Sequence, residues 1–364
     1  MDDTIFTTEA GRQRLATEWL PPWLRARRWF GAKDRVIQNC AIMKMVAFGS
    51  AWLCAVEVRF ADGEAEVYVI PLTQVESAEA AAVIAPMNGR MLIDATHVPE
   101  FRALLFQVLA GREKVPGIEV ARGSAFEKKF AGVDSPASRV LAVEQSNTSV
   151  IYCNRGFLKL FRKLEFNPDV EMIRFLGERS RFAHTTAFLG ALFWEGSALA
   201  VATDFLPDAV DGWSLGIKYH KHRGNLGMEE EWRGLVRELG ERTGQMHLAL
   251  ASDADDPDFA PEALTRYDVE AAARAMLEMA RDAVTELENA TAFQSGAGQA
   301  MLQQLFTALD GMRPIKGLVN RLMDDVPFGV KTRIHGDYHL GRVLYTENGF
   351  LMADFEVEPL PAAS

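Results

Sequence analysis

The sequence predicts an α+β protein of two or three compact units, and three observations carry that expectation. Between residues 36 and 205 the apolar residues fall in short runs rich in Val, Ile and Phe, broken by turn residues, as strands do. After Pro207 they recur at helical spacing over long stretches. The length of 364 residues exceeds a single domain, at roughly 100 to 200 residues per domain, and 48% hydrophobic with 24% charged residues is ordinary for a globular chain.

Taken in order, the first 35 residues read as a polar helix leading into a basic, aromatic stretch, Trp19 to Lys33, whose rings bury against a sheet while the arginines reach solvent. Val36 to Leu72, with turns at Gly49 and at Ala61, Asp62 and Gly63, predicts an antiparallel meander. An alanine-rich helix is expected around Glu76 to Ile84. Another is expected at Glu100 to Gly111, after Pro99, with Phe101, Leu104, Leu105 and Val108 on one face. Strands resume between Gly117 and Phe161, a helix follows Pro168, and two strands surround Phe188 to Trp194 and Leu199 to Phe205. Helices are expected at Glu229 to Ala251, Glu262 to Glu288 and Met301 to Met323, before a strand, turn, strand unit within Lys331 to Glu358.

The 39 basic and 50 acidic residues leave a formal charge of −11, which disfavours nucleic acid and anionic membrane as main partners. No run of 18 apolar residues occurs, and the start Met1, Asp2, Asp3 lacks a signal pattern, so a cytoplasmic location is expected. Cys40, Cys54 and Cys153 fit no zinc spacing and read as small core residues.

The segment His335, Gly336, Asp337, Tyr338, His339, Leu340, Gly341, Arg342, followed by Ala353, Asp354, Phe355, Glu356, carries the chemistry. An acid in a loop, a polar position five residues on and a second acid after the next apolar strand repeat the spacing of kinase catalytic machinery. There one Asp takes the acceptor hydroxyl's proton while others hold Mg²⁺. Phosphoryl transfer needs an aligned hydroxyl and neutralised phosphates, which two acids on one hairpin supply. A kinase also needs a cation on the ATP phosphates. Lys159 sits in an apolar strand, where an unpaired ammonium is costly, so it requires a partner, and the helix after Pro168 offers Glu171. Upstream, Ser146, Asn147 and Thr148 form a polar hairpin tip able to face phosphate.

These residues, with Arg27 to Lys33, Glu144 to Val150, Lys159 to Arg162, Asn167 to Glu171, Asp211 to Trp213, the helix around Arg242 to Leu250, and Asp354 to Pro359, resemble the bacterial maltokinases, relatives of the aminoglycoside phosphotransferases. The resemblance runs over nearly the whole chain. It implies a bilobal protein-kinase-like fold: a cap over 1–110, a β-rich lobe with the ATP-binding elements over 111–205, and a helical C-lobe over 206–364. It implies ATP and Mg²⁺ as cofactors, maltose phosphorylated at its anomeric hydroxyl, and leaves open an association with an enzyme of trehalose or α-glucan metabolism. By that resemblance Asp337 is the catalytic base, Asp354 a Mg²⁺ ligand, Lys159 the phosphate lysine, Glu171 its partner, and Asp204 and Phe205 part of the adenine-facing hinge. Toward the sugar the candidates are Trp213, His335 and Glu356. Trp213 either stacks on a ring or anchors a helix start, His335 braces the catalytic loop, and Glu356 shares the face of Asp354 in a strand.

Three features depart from the family pattern. Arg342 stands where a metal-ligating Gln or Asn is expected and has no lone pair to give. Val357 replaces an expected Gly, and the chain stops at Ser364, where maltokinases continue through further helices, so an incomplete C-lobe is expected. The alternatives to a maltose kinase are therefore an aminosugar kinase acting on glucosamine, and a nucleotide-binding pseudokinase without turnover.

Overall fold

The computed structural model describes residues 4–87, 89–141, 147–222, 224–289, 296–309, 317, 320, 321 and 329–355. Its chain divides into two units, Met1–Met246 with His335–Val357, and a second containing His247–Ile334.

At the start of the first unit, helices α1 (Thr4–Thr7) and α2 (Glu9–Arg14) and a π-helical turn, Leu15–Trp19, lead into α3 (Leu20–Arg25). Thr8 caps α2 by accepting the Gly11 amide, and prolines stand in the first turn of α3, where no amide partner is lost. The expected meander is present as β1 (Ile37–Phe48), β2 (Ala51–Phe60) and β3 (Glu66–Val75). Trp23, Trp29 and Phe30 bury against it, beside Cys40, Cys54, Val56 and Ile70. Burial pushes the Cys40 thiol up to about 11, as for a packed, unreactive sulfur.

The helix expected around Glu76 to Ile84 is not there. A single 3₁₀ turn, Ala80–Ala82, is followed by strand β4 (Val83–Met87), which pairs with β5 (Arg90–Asp94) at the edge of a sheet ordered β1-β2-β3-β5-β4. β-branched Val83 and Ile84 favour the strand, and Pro86 is tolerated because β4 has a free edge. Three alanines are too few to nucleate a helix against that pairing.

Helix α4 (Pro99–Leu109) shares one core with both neighbouring sheets. Its Phe101 meets Phe48 of β1, and Phe106 meets Phe126, Phe130 and Tyr152. Each such buried ring contributes about 2 to 3 kcal/mol. The second sheet contains β6 (Ile118–Arg122), β7 (Ser138–Val140), β8 (Asn147–Tyr152), β9 (Gly156–Phe161), β10 (Phe188–Trp194) and β11 (Ser197–Asp204), in the order β6-β10-β11-β9-β8-β7. Two helices lie between its strands in sequence, the unforeseen short α5 (Phe126–Phe130) and α6 (Pro168–Arg174).

An ion pair ties the two sheets together. Arg162, just past β9 and 1% exposed, donates from Nη2 to Asp94 at 2.7 Å and from Nε to Thr148 at 2.8 Å, with its guanidinium over Trp29. Sequence reasoning passed over this pair, although a second cation in the apolar run Leu158 to Arg162 needs a partner as much as Lys159 does.

Beyond β12 (Val210–Asp211), Asp211 caps α7 (Gly212–Lys221) by accepting the Ser214 amide, and α8 (Leu226–Leu250) follows. In the second unit, α9 (Arg266–Asn289), α10 (Gly296–Leu309) and the short pair β13 (Glu262–Ala263) and β14 (Val330–Lys331) are described. There Lys331 bridges Asp268 and Glu262.

The chain returns to the first unit with the hairpin β15 (Val343–Thr346) and β16 (Gly349–Met352), and β15 also pairs with β12. Arg242 of α8 holds the hairpin by donating to the carbonyls of Phe350 and Asn348, at 2.5 and 2.8 Å, while its own charge meets Glu238.

Candidate active site

Strand β9 and helix α6 place the first two charges. Alternation in β9 buries Leu158 and Leu160 and leaves Lys159 on the opposite face, half-buried. Asn167 caps α6 by accepting the Asp169 amide at 3.0 Å, and Pro168 opens the helix. That start orients Asp169, 2% exposed, toward β9, where its Oδ2 lies 2.5 Å from the Lys159 ammonium. Its other oxygen accepts the Phe355 amide at 2.8 Å. The predicted partner of Lys159 is thereby corrected from Glu171 to Asp169. Two residues along a helix is a turn of about 200°, so Glu171 projects from another side of α6. The capping signature Asn167-Pro168 was the available clue to which acid faces the strand.

Asp354 supplies a second carboxylate, with Oδ1 2.6 Å from Lys159. It follows β16 with φ +58, a left-handed conformation that Asp tolerates better than most residues. Burial alone would depress the Lys159 pKa, but the two carboxylates outweigh it and hold the ammonium charged well above its ordinary range. For Asp354 burial works upward and is overcome, first by Lys159 and then by Arg342, so its carboxyl lies below the usual range.

The catalytic-type loop supplies the remaining charges. Gly336, at φ +89, makes the turn between His335 and Asp337. His335 is 2% exposed, stacks near Phe355 and donates from Nε2 to the Ala353 carbonyl at 2.9 Å, with burial lowering its pKa. It braces the loop against the strand end that carries Asp354. The 3₁₀ turn Leu340–Arg342 is capped by His339, whose Nδ1 accepts the Gly341 amide at 3.0 Å. A Cβ at Gly341 would stand 2.7 Å from that ring, so the cap requires glycine. Arg342 then reaches Asp337 Oδ2 from Nε at 3.0 Å and from Nη2 at 2.9 Å, and Asp354 Oδ2 from Nη1 at 3.5 Å. Its hydrogen bond is the main reason the Asp337 pKa lies below the ordinary value.

Of these groups, Lys159, Asp169, Arg342 and Asp354 line a cavity of about 330 Å³. Its lining also includes the apolar Phe157, Ile173, Val201, Leu206 and Leu344, with Asp204 and Phe205. Among the predicted residues the structure therefore gathers Lys159, Asp204, Phe205 and Asp354 around this cavity, with Asp337 reached through Arg342.

Others fall elsewhere. The Thr148 hydroxyl is fully buried and accepts from Arg162, so it turns into the interior rather than toward phosphate, as alternation along β8 dictates. Asn147 opens β8, opposite Phe161 of β9. Ser146 and Glu356 lie outside the described residues. Trp213, 61% exposed, lines a separate cavity with Tyr219, Trp232 and Leu340.

Three carboxylates, two cations and an apolar lining suit a nucleotide, with the base against the apolar side chains and the phosphates near the cations. A Mg²⁺ ion would be held by Asp354, whose Oδ2 has only a long 3.5 Å contact from Arg342, and would supply charge neutralisation to bound phosphates. Among the described residues no group of three or more His, Cys, Asp or Glu stands ready to hold a metal alone.

These sheets and helices form the bilobal fold of protein-kinase-like enzymes, as in the solved structures that match it. A solved glucosamine kinase in complex with glucosamine, ADP and inorganic phosphate matches at a TM-score of 0.58 and 22% identity, over 94% of this chain and 73% of that one. A second crystal form of a glucosamine kinase matches at the same TM-score over 90% and 69%. More particularly, residues 23–97 match the maltokinase N-terminal cap domain. A glucosamine kinase from Streptacidiphilus jiangxiensis is 28% identical over 236 residues, covering 62% of this chain and 49% of that relative. The chain thus spans about half the length of the curated relative it matches. The resemblance to maltokinase and aminoglycoside phosphotransferase-like kinases, first carried by scattered motifs, is borne out. Among the described residues no helix is long and apolar enough to cross a membrane.

Proposed function

We propose that this chain is an ATP-dependent sugar kinase. The observation that carries the reading is that Lys159, Asp169, Asp354 and Arg342 line one cavity together with apolar side chains, with Asp337 paired to Arg342 beside it. In this reading Lys159, held by Asp169 and Asp354, binds the α- and β-phosphates, and Asp204 and Phe205 border the adenine. Bound at Asp354, Mg²⁺ would supply charge neutralisation on the phosphates. Asp337, kept ionised, takes the proton of the sugar hydroxyl as its oxygen bonds the γ-phosphorus, while the bond from that phosphorus to the bridging oxygen breaks and its electrons leave on ADP. His335 keeps the loop and the strand end in register.

Glucosamine is the acceptor favoured by the extent of the match to glucosamine kinases, at 94% of this chain. Maltose, phosphorylated at its anomeric hydroxyl, is the second reading and is favoured by the cap match. The test is ADP release by the purified chain with ATP, Mg²⁺ and glucosamine, maltose or glucose, beside Asp337→Asn. Sugar-dependent release lost in the variant is expected. Silence with every sugar while ADP still binds would instead favour a non-catalytic nucleotide binder.

A further inference from the structure

We infer that the Arg342 guanidinium takes the place of a second divalent cation, so that this site works with one metal ion and one fixed organic cation; the inference rests on the kinase reading above. Kinase sites of the two-metal kind place one ion between the carboxylate after the last strand and a neutral side chain of the catalytic loop. Here the loop side chain is an arginine, which has no lone pair for a metal and never loses its charge.

The geometry makes this an occupied position rather than a missing ligand. Two nitrogens of Arg342 lie 3.0 and 2.9 Å from Asp337 Oδ2, and a third lies 3.5 Å from Asp354 Oδ2. The guanidinium thus places a fixed positive charge against both carboxylates. Lys159 already holds the other oxygen of Asp354. A second dication would meet two cations and find few free oxygens.

The backbone also holds Arg342 there. Its amide donates to the His339 carbonyl at 2.9 Å, and its carbonyl accepts the Ala353 amide at 3.1 Å, next to Asp354. The guanidinium is consequently positioned from both the loop and the strand end whose acids it joins. Its side chain is 19% exposed and lines the cavity, so it can pass from the carboxylates to phosphate oxygens without a change of backbone. Guanidinium geometry suits two phosphate oxygens at once.

The test counts metal ions. The whole chain, saturated with ADP, is titrated with Mn²⁺ and free ion is read by electron paramagnetic resonance. One tight Mn²⁺ per ADP-bound chain is expected for the native protein and for Arg342→Lys, and two for Arg342→Gln, whose amide oxygen restores a ligand. Two tight ions in the native protein overturn the inference even if the Gln variant fails to fold. A single ion in a folded, ADP-bound Arg342→Gln overturns it equally. Failure of the native chain to bind ADP would overturn the kinase reading itself, and is recognised by the absence of any nucleotide-dependent ion.

Discussion

Replacing Asp169 with Asn tests whether the acid that faces Lys159 holds the charged cluster of the site together. Asn keeps an oxygen for the Phe355 amide and nearly the same volume, so the change removes one negative charge beside a largely buried ammonium. At 2.5 and 2.6 Å the attractions of Asp169 and Asp354 for Lys159 are of similar size, about 6 kcal/mol each at an effective dielectric of 20, before the cost of taking the charges out of water. Breaking a buried pair outright costs about 3 to 5 kcal/mol. Because Asp354 remains, roughly half that loss, about 2 kcal/mol, is expected in urea unfolding followed by tryptophan fluorescence. Glu171→Gln, two residues on along the same helix, should cost less than Asp169→Asn because it removes no charge from the Lys159 ammonium. ADP affinity, measured by calorimetry, should fall for Asp169→Asn and hold for Glu171→Gln. Equal effects of the two substitutions, or an Asp169→Asn protein as stable as the native one, would refute the assignment of the pair.

Arg162→Met should destabilise the chain by about 3 kcal/mol, since Asp94 is left buried without its charge partner; the same unfolding assay checks it, and Asp94→Asn combined with Arg162→Met should recover part of the loss. Asp337→Asn should abolish sugar-dependent ADP release while leaving the thermal midpoint within a few degrees, because Asp337 is half-exposed and supports no core contact. For pH, a base whose pKa is depressed stays ionised, and active, down through the ordinary carboxylate range. Arg342→Met removes the main cause of that depression without offering a metal a ligand, so the acid limb of any residual activity should move to higher pH in a rate profile. Asp354 is likewise depressed in the folded chain. Its contribution to stability is present above the unfolded carboxylate pKa and lost as pH falls through the lower folded value, so Asp354→Asn should flatten the acid side of stability measured between about pH 5 and 2.

Much of this molecule was legible in order along the chain. The meander, the strand carrying Lys159, the helix after Pro168 and the hairpin carrying Asp354 follow from alternation, turn residues and capping, which are local properties. The spacing of Asp337 to Asp354 was enough to point at phosphoryl transfer, because two acids on one loop and hairpin stay close in any fold that forms the hairpin. The expectation of a helix around Glu76 to Ile84 failed for the converse reason. Alanine's weak preference was overridden by pairing with β5, a partner seven residues on whose claim local propensity does not register.

What only the tertiary structure decided is which charges meet. Asp169 and Glu171 are equivalent in composition, and a side-chain direction set by the Asn167 cap separates them. Thr148 reads as a phosphate contact until the buried Arg162 claims its hydroxyl from the neighbouring strand. Arg342 reads as a lost metal ligand, and becomes a bridge between two carboxylates only once the loop and the hairpin are folded together. Sequence pattern determines elements because backbone hydrogen bonding and side-chain periodicity act over a few residues. Partners of a charge are set by distances in space, here across 195 residues between Lys159 and Asp354, and no local pattern contains them.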